Sequence, residues 1–157
     1  MNWLFWAPLA TASLHIFEEF VFPGGFAAWY RNFRPAIAKS ITPRFLVIIN
    51  AILLLVCYDA FTLRSKPIGV AVWLTVMALL GVNGCWHILA TIKSRSYSPG
   101  LITGSLLYIP LTVYGYAWFL RTEQASLPTA ALAFLIGASY PLLSSATHQW
   151  RARPKPA

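Results

Sequence analysis

The chain consists mainly of five long apolar runs, separated by short segments that hold most of its basic residues and many of its prolines. A helix rises ~1.5 Å per residue, so about 20 apolar residues cross the ~30 Å hydrocarbon core of a bilayer. Each run is about that long. We therefore predict an all-α bundle of five transmembrane helices in one domain over residues 1–150, followed by a basic cytoplasmic tail at 151–157. The predicted helices are 3–22, 45–63, 69–92, 101–121 and 127–148.

The segment after the first run has a different pattern. Aromatic and other apolar residues recur at roughly helical intervals, with Arg31 and Arg34 between them: Phe26, Trp29, Tyr30, Phe33 and Ile37. This pattern is typical of a short helix lying in the headgroup region, or of an aromatic-belt loop that anchors the bundle. Either structure could cover the end of the first helix.

Composition strengthens the membrane prediction. Of the 157 residues, 58% are hydrophobic and 10% charged, against roughly 25% charged in a soluble domain. The net charge of +8 comes from twelve Lys and Arg that lie almost entirely between and after the apolar runs. Such charges are expected to set topology, and we predict no binding to nucleic acid. Cys57 and Cys85 fall inside predicted helices, so no disulfide framework is expected.

The positions of the basic residues predict an orientation. Nine of the twelve lie in the first connection, the third connection and the tail, and three lie on the opposite side. Because cytoplasmic loops are enriched in Lys and Arg, this predicts an integral protein of a bacterial-type inner membrane with its N-terminus outside and its C-terminus in the cytoplasm.

The first apolar run ends in the string HIFEE, which contains His15, Glu18 and Glu19. Residues at i, i+3 and i+4 share one face of a helix, so these three side chains point the same way. An ionisable group in hydrocarbon costs at least ~2.5 kcal/mol. The triplet is therefore expected to face the bundle interior and to need a cation, a proton or buried water.

Other polar residues are predicted at the same membrane depth. With the orientation given above, His87, His148 and Asn50 all lie towards the cytoplasmic leaflet, and Asn83 lies one turn before His87 on the same helix face. A polar chamber between helices 1, 2, 3 and 5 of the predicted bundle follows.

The order of motifs resembles a known family. HIFEE is followed by NGCWH at 83–87 and by YSPG at 97–100. This arrangement, over most of the chain, resembles the HXXEE family of small integral membrane proteins, which is named for its motif. The resemblance implies metal binding, and it implies that the following residues are motif positions: His15, Glu18, Glu19, Asn83, His87, Pro99 and Gly100.

These residue types suit a divalent metal, Zn or Fe. Imidazole and carboxylate are good ligands for both metals, and the cation would offset the buried negative charge. One ion could bind His15, Glu19 and His87, with Glu18 as a general base. If His148 and Glu18 are ligands too, two ions with bridging carboxylates are an alternative.

The catalytic residues predicted are Glu18 and Asn83. Asn83 would orient His87 or the substrate. Asn50 and Tyr97 are candidates for supporting roles, because both can reach the predicted chamber.

We therefore predict a metal-dependent membrane enzyme, of oxidoreductase or hydrolase type, that acts on a lipid-like or isoprenoid-like apolar small molecule. The chain has no sizeable extramembrane domain to capture a soluble molecule, so the bilayer is the expected source. One alternative is a metal-free isomerase or cyclase that uses Glu18 and Glu19 as acid and base. Another is a non-enzymatic carrier, or an assembly protein whose contacts are organised by faces of small residues such as 81–84. A homodimer is an expected partner state in either case.

Overall fold

The computed structural model describes residues 2–21 and 25–153, and all regular structure within these residues is helical. The predicted all-α class is confirmed. A 3-10 helix spans Pro35–Ser40, and a π-helical turn, Gly104–Tyr108, joins α5 to α6. The α-helices are α1 (Asn2–Val21), α2 (Phe26–Phe33), α3 (Pro43–Thr62), α4 (Gly69–Ser94), α5 (Leu101–Thr103), α6 (Ile109–Arg121), α7 (Leu127–Ala138) and α8 (Tyr140–Ala152).

Within the described residues, three helical stretches are long and apolar enough to cross a membrane: Pro43–Thr62, Gly69–Ser94 and the α7–α8 stretch Leu127–Ala152. The prediction of five such helices is therefore wrong. The polar triplet of HIFEE lies within α1 and makes it less apolar. The predicted span 101–121 is divided by the π-helical turn, so α6 has only 13 residues. α8 continues to Ala152, so the predicted tail begins inside a helix. Residue 22 of the first predicted helix and residues 154–157 of the tail lie outside the described residues.

α4 is the central helix of the bundle. Half of its most apolar window is buried, against 17% for each of the other two membrane-spanning candidates. It packs against α1, α3, α6 and α7. Small residues on the neighbours permit close approach, since a Cβ added at Gly115 would lie 1.8 Å from Trp73 Cη2 and one at Gly137 would lie 2.3 Å from the Thr75 carbonyl.

A proline in α1 explains one contact between α1 and α4. Pro8 has no N–H, so the Leu4 carbonyl loses its partner within the helix. The Trp73 indole of α4 donates to that carbonyl at 2.8 Å. All three residues are buried. The hydrogen bond thus satisfies a carbonyl that the proline would otherwise leave unpaired, and it fixes the position of α1 along α4.

The aromatic segment after α1 forms a short helix, α2, and not the loop that was the other interpretation of its sequence. The rings of Trp29 and Tyr30 on α2 lie 5.8 and 6.0 Å from the Trp86 ring of α4. Phe26 lies 6.0 Å from the His87 ring. α2 therefore covers the ends of α1 and α4 where the HIFEE residues lie.

Candidate metal centre

Three ligand-type side chains converge between α1 and α4. His15 and Glu19 are one helical turn apart on α1, and His87 comes from α4. The Glu19 Oε1 atom lies 3.5 Å from Nε2 of His15 and 3.5 Å from Nε2 of His87. All three ligand atoms lie within 4.8 Å of one another. The exposed fractions are 2% for His15, 12% for Glu19 and 1% for His87.

The 3.5 Å distances fit ligands around a shared ion. Two atoms that bind a metal at ~2.1 Å with tetrahedral angles are roughly 3.4 Å apart. Direct N–H···O hydrogen bonds are shorter, about 2.7 to 3.2 Å. The distance from Glu19 Oε1 to each imidazole Nε2 therefore matches the distance between two ligands of one metal ion. It is longer than the distance in a strong hydrogen bond.

Hydrogen bonding fixes which nitrogen of His15 carries the proton. The Thr103 hydroxyl donates to Glu18 Oε2 at 2.5 Å, and the Oγ1 atom of that hydroxyl lies 2.8 Å from His15 Nδ1. A hydroxyl has one proton, so His15 Nδ1–H must be the donor in the second contact. In the neutral ring, Nε2 then presents a lone pair towards the Glu19 carboxylate. Nε2 is buried without a hydrogen-bond partner, and two facing acceptors need a cation or a proton between them.

His87 is held by a hydroxyl in the same way. Its Nδ1 lies 2.9 Å from Ser98 Oγ. Ser98 is fully buried, and its backbone N–H donates to Thr91 Oγ1 at 3.2 Å. Both imidazoles thus present Nε2 to Glu19 while their Nδ1 atoms contact hydroxyl groups, the arrangement that orients metal-binding histidines.

Gly100 lies directly against the two imidazoles. Its φ of +101° is in the region that favours glycine. A Cβ at this position would lie 2.7 Å from Cε1 of both His15 and His87. Glycine is therefore required here for backbone conformation and for space.

Glu18 points away from this cluster and binds the loop after α4. Its carboxylate accepts hydrogen bonds from the N–H groups of Gly100 (3.0 Å), Ile102 (3.0 Å) and Thr103 (2.7 Å), from the Thr103 hydroxyl and from the Tyr97 hydroxyl. Burial, together with the neighbouring carboxylate, raises the pKa of Tyr97, so its hydroxyl stays protonated as a donor. The predicted metal ligands included Glu18, but its carboxylate lies outside the group formed by His15, Glu19 and His87.

Residues 6–115 match the model of a family described as a protein of unknown function with HXXEE motif. This region is well over half of the chain and contains all the residues that form the cluster and bind Glu18. The chain belongs to the HXXEE family. No curated protein and no solved structure matches.

A cavity of about 410 Å³ adjoins the HXXEE cluster. The three cluster residues line one part of it, and the predicted residues Asn50, Asn83 and His148 also line it. Asn83 Oδ1 is buried and has no hydrogen-bond partner among the described residues, so it is available to a bound molecule. The predicted polar chamber thus contains these residues, whereas Tyr97 contacts Glu18 instead.

His148 is outside the three-residue cluster. Its Nδ1 lies 2.8 Å from Ser40 Oγ, and Ser40 donates its proton to the Ile37 carbonyl at 2.6 Å. His148 Nδ1–H is therefore the donor to Ser40. The imidazole lies between aromatic rings, 5.6 Å from Tyr30 and 5.2 Å from Phe45.

Several residues of this HXXEE site were not predicted. Thr103, Ser98 and Ser40 hold the three imidazoles, and Tyr108 packs 4.5 Å from the His15 ring with its buried hydroxyl lacking a hydrogen-bond partner. Ser98 lies within the YSPG motif, which was the available signal for it, whereas Thr103 lies three residues beyond that motif. Nothing in the apolar pattern distinguishes Ser40 or Tyr108.

Proposed function

We propose that this HXXEE protein is a membrane enzyme, of oxidoreductase or hydrolase type, that uses one divalent metal ion and acts on a lipid-like or isoprenoid-like substrate. The observation that carries the proposal is the convergence of His15, Glu19 and His87, with the carboxylate oxygen 3.5 Å from each Nε2.

The donor set fits Zn or Fe. Catalytic zinc sites with two histidines and one glutamate, and Fe(II) sites with two histidines and one carboxylate, leave positions open for water or substrate. Such an ion would polarise a bound oxygen or activate water. The predicted two-ion site lacks support, because Glu18 accepts hydrogen bonds from five donors and His148 is not in the group of ligand atoms that lie within 4.8 Å of one another.

The surrounding residues would keep the ligands in position. Thr103 and Ser98 hold the imidazoles through Nδ1, and Glu18 holds Thr103. Asn83 Oδ1, which is buried and without a partner, would accept a hydrogen bond from the substrate or from water. Asn83 is thus a binding residue in this proposal, and Glu18 a positioning residue.

The lining of the cavity supports an apolar substrate. Aliphatic and aromatic side chains from α3, α4 and α8 form most of its wall, with the polar cluster in one part. A volume of about 410 Å³ lies in the range of small-molecule sites, ~300 to 1,000 Å³. The distribution of Lys and Arg supports placing the N-terminus outside and the C-terminus in the cytoplasm of a bacterial-type inner membrane.

The proposal is tested by lipid conversion. Purified protein is reconstituted with total membrane lipids, loaded with Zn or Fe(II), and the lipids are followed by mass spectrometry. We expect a lipid species to change with the metal-loaded wild type and with Asp59→Asn, which alters a carboxylate on α3 outside the cavity lining. We expect no change with Glu19→Ala. Identical lipid profiles for wild type and Glu19→Ala would contradict the proposal.

Acid–base chemistry without metal is a second candidate, because a proton could replace the cation between Glu19 and His15. The 3.5 Å contacts of Glu19 with two imidazoles would then be ion pairs, and Glu19 would transfer protons to and from the substrate. Under this alternative, lipid conversion persists in the presence of a strong chelator and is lost in Glu19→Gln.

A further inference from the structure

We propose that the substrate is a single-chain amphiphile with an anionic head group, bound with its head at Arg34 and its chain in the cavity between α3 and α8. This inference rests on the proposed function, because it assigns a substrate class to the same cavity. It adds the charge of the head group, the residue that recognises it and the route by which the chain enters.

Arg34 is a cation that lines the cavity, and it has no carboxylate partner in the part of the chain that the structure describes. Its guanidinium donates a long hydrogen bond to the Tyr30 hydroxyl, at 3.5 Å. Among the described residues, both ion pairs involve Glu19 and the cluster histidines. A guanidinium has five N–H donors in a fork that matches carboxylate and phosphate. Arg34 therefore has unused capacity for an anion.

The neighbouring arginines, unlike Arg34, donate to backbone carbonyls and lie outside the cavity lining. Arg31 donates to the Ile41 carbonyl at 2.8 Å, and Arg151 donates to the Ser40 carbonyl and lies over the Phe45 ring at 4.3 Å. Neither lines the cavity. Both contribute positive charge beside the cavity, which attracts an anion and leaves Arg34 as the residue to bind it.

The cavity opens through the side of the bundle. Ile52, Val56 and Leu143 line it and are nevertheless 49%, 39% and 64% exposed. They belong to α3 and α8, within two of the stretches that are apolar enough to cross a membrane. α3 packs against α1 and α4, whereas α8 packs mainly against the 3-10 helix. The opening between α3 and α8 therefore faces the acyl chains, and an alkyl chain can enter from the bilayer.

The positions of the rings separate the head group from the metal ligands. Phe26 lies 6.0 Å from His87 and 5.2 Å from Tyr30, and Arg34 bonds to Tyr30. A chain of contacts through two aromatic rings thus links the cluster to the guanidinium. When the head group is bound at Arg34, the part of the substrate that reaches the cluster is a position along its alkyl chain. The head group itself is then not the reacting group.

The test is equilibrium binding to the full chain in phosphatidylcholine nanodiscs. The probes are labelled hexadecyl phosphate, hexadecanoate and hexadecanol, which share one chain and differ in the head. We expect at least one anion to bind about tenfold or more tightly than hexadecanol, as for a lost charged hydrogen bond. The tighter of the two anions identifies the head as phosphate or carboxylate.

Variants of the arginines give the matched comparison. Arg34→Gln should remove the preference for the anion, and Arg34→Lys should keep part of it. Arg31→Gln removes the same charge three residues earlier, at a residue that does not line the cavity, and it should keep the full preference. Equal binding of hexadecanol and both anions, or equal loss in Arg31→Gln and Arg34→Gln, would overturn the inference.

Metal content measured on the same samples separates this inference from the proposed function. An anion preference that depends on Arg34 in protein that binds no metal would support the amphiphile site and contradict the metal enzyme. Metal bound by the cluster without any anion preference would support the metal enzyme and contradict the amphiphile site.

Discussion

Glu18 and Glu19 are neighbours in the sequence with different surroundings. Glu19 faces two imidazoles, whereas Glu18 accepts five hydrogen bonds from the loop after α4. Adjacent helical residues diverge by about 100°, so one carboxylate faces the cluster and the other faces the loop. The same substitution at each position should therefore have different consequences.

We predict that Glu19→Gln abolishes stoichiometric metal binding, because it removes a charged ligand. Glu18→Gln should retain binding with an affinity about 10 to 100-fold lower, since it disturbs Thr103 and through it His15. Competition with a chelator of known affinity measures both variants. Equal losses in the two variants would mean that Glu18 is a ligand.

Gly100 allows a second prediction at the residue scale. An alanine here would be strained at a φ of +101° and would collide with both imidazoles. Gly25 is the matched control, because its φ is +82° and a Cβ there meets nothing closer than 3.7 Å. Each alanine should destabilise by about 1 to 2 kcal/mol from backbone strain, but only Gly100→Ala should lose metal. Thermal unfolding and metal analysis together check this, and metal loss in Gly25→Ala would contradict it.

At the scale of elements, the contact of α1 with α4 depends on the carbonyl that Pro8 leaves free. Trp73→Phe removes the donor to the Leu4 carbonyl and should cost about 1 to 3 kcal/mol. Pro8→Ala restores a backbone N–H to that carbonyl. The gain in free energy of unfolding from Pro8→Ala should therefore be roughly 1 kcal/mol larger in the Trp73→Phe background than in wild type. A double-mutant cycle of unfolding free energies measures this coupling, and strictly additive effects would count against the assignment.

The loop that follows α4 should respond to alkaline pH. The pKa of Tyr97 is raised in the folded protein by burial and by Glu18. Its contribution to stability is thus complete below the unfolded value of about 10 and declines as the pH rises above it. Wild type should lose stability above about pH 10 more steeply than Tyr97→Phe. Parallel slopes in unfolding experiments from pH 8 to 11 would contradict this role.

The positions of α3 and α4 and the helical character of α1 follow from apolar run length, and the sequence predicts them to within a few residues. The interruption of 101–121 does not follow from it, because the π-helical turn arises where Gly104 packs against Gly84 of another helix. The cluster residues were predictable from i, i+4 spacing and topology. The role of Glu18 was not, since it depends on the conformation of a loop 80 residues away, including the positive φ of Gly100.

At the scale of the whole molecule, the helices combine a buried His and Glu cluster with a cavity that opens through the side of the bundle. α1 and α4 provide the cluster, and α3 and α8 border the opening. One cavity therefore connects the ligand atoms to the exposed apolar surface. This arrangement is expected for a site that receives its ligand from the bilayer rather than from water.

The measurement that tests the central claim most directly is metal content per chain in purified protein after equilibration with Zn or Fe(II) and removal of free metal. We predict about one ion per chain in wild type and in His148→Ala, because His148 is outside the three-residue cluster. We predict no retained ion in His15→Ala or His87→Ala. Metal-free wild type, or equal metal in all four proteins, would contradict a metal centre formed by His15, Glu19 and His87.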